Sequence, residues 1–222
     1  MKKYVLILLV LSYATMNSQT IQQVDSLASK MCESFKELKE VKDETKIMMV
    51  FEKHLPAFYE KAKVTSQAQA DSLVNRVYFR LQRNCQAFLD ILAGMEENKS
   101  DWGKLAEKPK SKLSKKESDA FFSGKSFYYK EYDGSIVNVA LSSSHWIETF
   151  EDGTTSNLLI RPKGSGEFEL EFLESNNNKR KNFSVKGDVY RYGIYSVAEG
   201  IYSAWVATKD NEYHSFRIYT RK

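Results

Sequence analysis

Glu167-Phe168-Glu169-Leu170-Glu171-Phe172 alternates acidic and apolar side chains through six residues. A β-strand turns successive side chains to opposite faces, so this stretch sets three apolar groups on one face and three carboxylates on the other. The carboxylates, about 7 Å apart along the strand, lack the Asp/Asn loop of a calcium site and read as a solvated outer face. Outward from this strand, Asp133-Gly134, Asp152-Gly153, Glu199-Gly200 and Asp210-Asn211 punctuate runs of aromatic and β-branched residues. Asp-Gly between such runs marks a hairpin, read here as a type I′ turn with positive φ at both central residues. The pattern predicts strands over 126–132, 135–141, 144–151, 154–161, 167–173, 188–197, 201–208 and 212–220, with Ser142-Ser143-Ser144 a break or only a bulge. Connections this short leave little room for crossover helices, so the sheet is expected to be antiparallel, closed as a barrel or stacked as a sandwich.

In the last three runs both faces carry large side chains. One alternating set holds Tyr190, Tyr192, Ile194, Tyr202, Ala204, Val206, His214, Phe216 and Ile218. The other holds Tyr195, Ile201, Trp205, Tyr213 and Tyr219, with Arg191, Ser203 and Arg217 between them. One set must fill the core. The other is expected to meet the helical half of the chain, a small molecule or a protein partner, since a half-solvated sheet does not need it. Tyr195, Trp205, Tyr213 and Tyr219 are therefore the candidate ligand-binding residues, and Trp146 joins them as a fifth.

Upstream of about residue 100 the apolar repeat changes from two to three or four. Ile21, Val24, Leu27, Met31, Phe35 and Leu38 form one stripe; Ile47, Phe51, Leu55 and Phe58 form a second, which Pro56 should kink or split. Leu73, Val77, Leu81, Cys85, Phe88 and Leu92 form a third, in a helix expected from about Ser66 to Gly94. Three amphipathic helices imply a small bundle whose stripes are each other's core. The fold class is accordingly α+β, with a bundle at 20–100, a basic connector at 101–121 and an antiparallel β domain at 122–222.

Residues 1–19 read as a secretory signal peptide: Lys2-Lys3, an apolar run from Tyr4 to Leu11, then small and polar residues before the cut. The run is far shorter than the ~20 residues of a membrane-spanning helix, and no cysteine stands near the cut to carry a lipid. A secreted or periplasmic destination follows, and an oxidising compartment permits Cys32 and Cys85, the chain's 2 cysteines, to form a disulfide. Neither a zinc site nor thiol-redox chemistry fits, for want of histidines in ligand spacing and of a Cys-x-x-Cys.

The chain is 42% hydrophobic and 28% charged, a globular composition. Its net charge of +4 falls to +2 without Lys2 and Lys3, too even a balance to make nucleic acid the expected partner. Between Lys104 and Lys116 stand six lysines with Pro109 among them, a run that lacks the interleaved aromatics of a nucleic-acid binder and reads as a solvated linker or short exposed helix. A second basic stretch, Asn176 to Asn182, reads as a polar loop; together the two stretches would suit an anionic polymer.

No nucleophile elbow, zinc-protease, P-loop or dinucleotide motif occurs; Gly164-Ser165-Gly166 precedes a strand and reads as a turn. No cofactor or metal is expected. The leading function is a non-catalytic binding or interaction protein working through the aromatic strand face. The alternatives are a hydrolase of envelope or extracellular material with His145 or His214 as base, and a structural envelope component.

The consecutive hairpins, the stretch Trp146-Ile147-Glu148-Thr149-Phe150-Glu151-Asp152-Gly153 and the strand Glu167-Phe168-Glu169-Leu170 resemble small exported bacterial proteins with a lipocalin-like β-meander. The resemblance covers residues 122–222 and implies a meander of hairpins. Lipocalins carry Gly-x-Trp at the first strand; here no such tripeptide precedes the first strand and Trp102-Gly103 reverses the order, so a deep apolar calyx is not implied.

Overall fold

The computed structural model describes residues 20–38, 40–95, 101–123 and 126–221; the expected leader, 1–19, lies outside them. Among the described residues the order is α1 (Ile21–Glu37), α2 (Asp43–Ala62), α3 (Gln67–Asn84), α4 (Gln86–Met95), β1 (Gly103–Leu105), α5 (Lys115–Ser123), β2 (Ser126–Lys130), β3 (Ile136–Leu141), β4 (His145–Thr149), β5 (Thr155–Gly164), β6 (Glu167–Ser175), α6 (Asn178–Phe183), β7 (Val189–Ala198), β8 (Ile201–Ala207) and β9 (Tyr213–Thr220).

Thr20 starts α1 with a full capping box, its hydroxyl accepting from Gln23 N while Gln23 Oε1 accepts from Thr20 N. Ser66 caps α3 through Gln69 N, while Gln69 Oε1 accepts from Thr65 N and not from the Ser66 amide. The expected split at Pro56 does not occur: α2 runs through it to a left-handed cap at Lys63. The expected third helix is instead two, because Cys85 takes an extended backbone and α4 restarts at Gln86. That break turns α4 so that Phe88 reaches Phe35 of α1 at 5.2 Å and Tyr78 of α3 at 5.4 Å. Cys32 and Cys85 are disulfide-bonded, with Cα atoms 5.5 Å apart, tying α1 to the α3–α4 break.

The β half closes. Strands β2 to β9 pair antiparallel in sequence order and β9 pairs with β8 on one side and β2 on the other, making an eight-stranded barrel. Closure answers barrel against sandwich. It also removes nearly every free sheet edge. Only the C-terminal half of β9 reaches β2, through Phe127↔Thr220 to Tyr129↔Ile218; its N-terminal half is covered by β1, through Gly103↔Ser215 to Leu105↔Tyr213. The segment expected to be a linker therefore supplies a short strand at the seam. Ser142 to Ser144 form a turn, so β3 and β4 stay separate.

Three hairpins use one loop, and it is not the type I′ turn expected. At 131–135, 150–154 and 208–212 the flanking residues pair across a three-residue loop, and only its last residue, Gly134, Gly153 or Asn211, has positive φ. Asp133 Oδ1 accepts from Ser135 N, and Asp152 Oδ1 from Thr154 N, which holds each aspartate at negative φ and leaves one left-handed position to glycine. The expected type I′ geometry is realised at Glu199-Gly200, with φ of 51° and 79°.

Asp133 also accepts from the Ser135 hydroxyl and from Lys179 Nζ at 2.9 Å, and the first of these does most to hold its carboxyl near pKa 2, below the ordinary 3.8. A folded-state pKa below the unfolded one gives stability that is full above about 3.8 and is lost as pH falls through about 2. Asp133→Asn is therefore expected to lower stability near neutrality, where that contribution is full, and to flatten the acid-unfolding profile across that interval, so that variant and parent converge toward pH 2, as read by denaturant titration followed by circular dichroism at several pH values.

The inward set of side chains is the one read from alternation, and it fills the barrel. Phe121 of α5, fully buried, enters one end against Phe127, Phe168 and Tyr202. Ring contacts then run from Phe168 to Tyr192, Phe216, Trp102 and Tyr132, with centroids 4.7–6.0 Å apart. Outside, Glu167, Glu169 and Glu171 form ion pairs with Lys108, Lys163 and Arg161.

Candidate functional site

The five aromatic candidates fall in three places. Trp146 is inside the barrel, 3% exposed, stacked on Phe168 and with its indole N–H directed to Glu148 Oε1 at 3.4 Å. Trp205 is on the outer wall yet only 4% exposed. It lies across Gly193 of the neighbouring strand, where a Cβ would stand 2.5 Å from the indole nitrogen. Lys108 of the connector covers its other face, Nζ 5.0 Å from the ring, while pairing with Glu167 at 2.6 Å. Tyr213 meets Trp205 edge-on at 5.5 Å, half-buried. Tyr195 sits in the bulge between Ile194 and Ser196, its carbonyl accepting from Lys112 N at 2.8 Å. Tyr219 stacks on Tyr128 at 4.8 Å and donates to Asp101 Oδ1 at 2.9 Å. The structure thus joins Trp205 to Tyr213, places Tyr195 and Tyr219 on the same outer wall under or beside the connector, and sets Trp146 apart in the core.

Gly193→Ala is expected to push Trp205 off the wall, at a cost of about 1–3 kcal/mol for the overpacked contact. A lower thermal midpoint together with altered tryptophan emission checks this.

A polar cluster at the opposite barrel end from Phe121 was not anticipated as a unit. Asn177 caps the short helix α6 through Lys179 N and Arg180 N, and this turns Arg180 into the barrel mouth. Its guanidinium donates to Tyr129 Oη at 2.7 Å and to Glu131, and Nε lies 3.3 Å from Glu148 Oε2, with the plane 5.3 Å from the Phe150 ring. Tyr129 in turn donates to Glu148 Oε1 at 2.8 Å. Burial works against the Arg180 charge, but Glu131, Tyr129 and Glu148 outweigh it and hold the pKa well above the ordinary value. Burial pushes the Tyr129 and Tyr192 hydroxyls upward, so both remain phenols. The cluster stores charge and locks α6 on the barrel; its groups serve one another. One sequence signal pointed to it: Glu148 stands between Trp146 and Phe150 in an otherwise apolar inward register.

The three histidines are dispersed. His145 Nδ1 meets Ser144 Oγ at 2.8 Å in the exposed turn. His214 faces inward near β1, its Nε2 buried without a hydrogen-bond partner; burial first, then Lys104, lowers its pKa. His54, on α2, meets Ser34 of α1. Among the described residues no carboxylate hydrogen-bonds to any of these imidazoles, and no group of three or more His, Cys, Asp or Glu is placed to hold a metal ion. Among them, too, no helix is long and apolar enough to cross a membrane.

The two basic stretches do not meet. The connector passes Tyr195 and Gly166 toward the α5 end, whereas α6 follows Ser175 at the other end. Within the connector Lys104 pairs with Asp90 and Glu212, and Lys115 with Asp119. No protein-family model matches this sequence, and no curated protein matches it either.

Proposed function

We propose that the chain is an exported, non-catalytic interaction protein that recognises its partner on the outer wall of its barrel. The observation that carries this reading is the filled interior: rings and aliphatic side chains pack from Phe121 to the Arg180 cluster, in the space where a lipocalin-like calyx would hold its ligand. The half-exposed rings of Tyr195, Tyr213 and Tyr219, ordered by the connector, are the side chains best suited to contact, since tyrosine offers a large area at low entropic cost. Export is supported by the signal-peptide pattern of residues 1–19 and by the Cys32–Cys85 disulfide. The eight-stranded meander supports the lipocalin-like resemblance at the level of architecture.

The test is site-specific crosslinking in cells that naturally produce the protein. A photoreactive phenylalanine at Tyr195 or Tyr213 should yield one discrete adduct that the same probe at Thr149, on another wall, does not. Adducts equal at all three positions, or absent from both tyrosine positions, would overturn the reading. Intact mass of the exported product checks the leader cut and the disulfide together.

A further inference from the structure

The groove between α1 and α2 gathers hydrogen-bond donors and positive charge that neither the bundle core nor the barrel uses. Ser34 of α1 is a polar residue only 6% exposed. Its Oγ lies 2.9 Å from His54 Nε2 and accepts from Lys53 Nζ at 3.3 Å, both on α2. An ammonium can only donate, so the Ser34 proton points to Nε2, which accepts it. Lys30 stands one turn before Ser34 on α1. The charged groups that bear on the imidazole are Lys53 from α2 and Lys30 from α1; with burial, which contributes most, they lower its pKa, and no carboxylate opposes them. Neither lysine has an ion-pair partner among the described residues, and Glu33, the nearest acid in sequence to Lys30, is taken by Lys36 at 2.9 Å.

A buried hydroxyl and an imidazole thus stand beside one ammonium group and within the field of a second, with no counter-ion among the described residues. We propose that Lys30, Ser34, Lys53 and His54 form a binding site for a phosphate-type oxyanion. The lysines supply opposite charge, and the Ser34 hydroxyl rotates from His54 to donate to an anion oxygen. The bound dianion reverses the local field, so His54 takes up a second proton and donates through Nε2. Binding is therefore coupled to proton uptake and tightens as pH falls. The same chemistry admits free phosphate or the phosphate of an anionic lipid headgroup.

The experiment follows the ring resonances of His54 in the full chain, with His145 and His214 as internal references. Inorganic phosphate is titrated against chloride at constant ionic strength; in a second arm phosphatidylglycerol vesicles replace phosphate, with phosphatidylcholine vesicles as control. The expected result is a saturable shift confined to His54 and a rise of its pKa by about 1 unit at saturation. The Lys30→Met, Lys53→Met double variant should weaken the response at least about tenfold, as loss of two charge-assisted contacts requires. The arm that responds identifies the source of the phosphate. A His54 titration that is the same in chloride, phosphate and both vesicles overturns the proposal, as does a response that survives in the double variant.

Discussion

Arg80→Ala is expected to lower stability by about 3–5 kcal/mol, the usual result of removing one member of a buried ion pair. Arg80 is 3% exposed and joins three parts of the chain. Nε and Nη2 grip Asp25 of α1 at 2.6 and 2.9 Å, while Nη1 donates to the Phe183 carbonyl at the end of α6 at 2.6 Å and reaches Asp188 before β7 at 3.4 Å. Burial alone would depress the guanidinium pKa, but Asp25 and then Asp188 raise it above the ordinary value. Alanine would leave two carboxylates and a carbonyl facing an unfilled space. Neighbouring Arg83, stacked on Tyr190 at 4.7 Å, pairs with Asp188 at 3.6 Å, so the loss falls chiefly on Asp25. Because all 3 tryptophans lie in the barrel half, their emission reports the barrel while the far-ultraviolet helical signal reports the bundle. The two transitions should coincide in the parent protein and separate in the variant, with the helices melting first. Coincident transitions in Arg80→Ala would show that Arg80 does not couple the halves. Arg80→Lys should recover only part of the loss, since an ammonium cannot make the two-pronged contact with Asp25.

The second large effect is loss of the Cys32–Cys85 bond. It closes a loop with a sequence separation of 53, for which unfolded-chain entropy gives about 4 kcal/mol. Replacing both cysteines with serine adds the cost of polar atoms at positions 7% and 2% exposed. The loss should concentrate in the bundle, where α1 otherwise meets α3 and the α3–α4 break through side-chain packing and the contacts of Asp25 with Arg80 and Asn84. Denaturant titration of the oxidised and reduced protein, read by both signals, checks this. A barrel transition that moves as far as the helical one would show that the bond stabilises the whole molecule.

Much of this architecture was legible in the sequence because its periodicity is strict. The alternation in the last three strands sorted Tyr192, Ala204, Phe216 and their neighbours to the inside and Trp205, Tyr213 and Tyr219 to the outside, as the structure does. What was not legible depended on partners distant in the chain. Gly103–Leu105 is too short to show a pattern and becomes a strand only because half of β9 has no other neighbour. Asn178–Phe183 is polar up to its last residue and is helical because Asn177 caps it and Arg180 finds Glu131 and Glu148. Cys85 fits the apolar stripe of one long helix, and nothing local announces that its backbone leaves the helix there. The candidate site was read in part: alternation identified the outer aromatics, but the connector laid over Trp205 and the inward position of Trp146 follow from three-dimensional register.

The junction of Tyr128 with Tyr219 has a consequence for biogenesis. The strands β2 and β9 must meet, so a polypeptide emerging from its N-terminus has no complete ring until Tyr213–Thr220 is free. Arg80 likewise waits for Phe183 and Asp188. Until then β2 and β8 present unsatisfied backbone, and a nascent chain cut short before Tyr213 would carry two adhesive margins that closure otherwise covers. Closure of the ring therefore waits on β9, whatever part of the meander has formed before it.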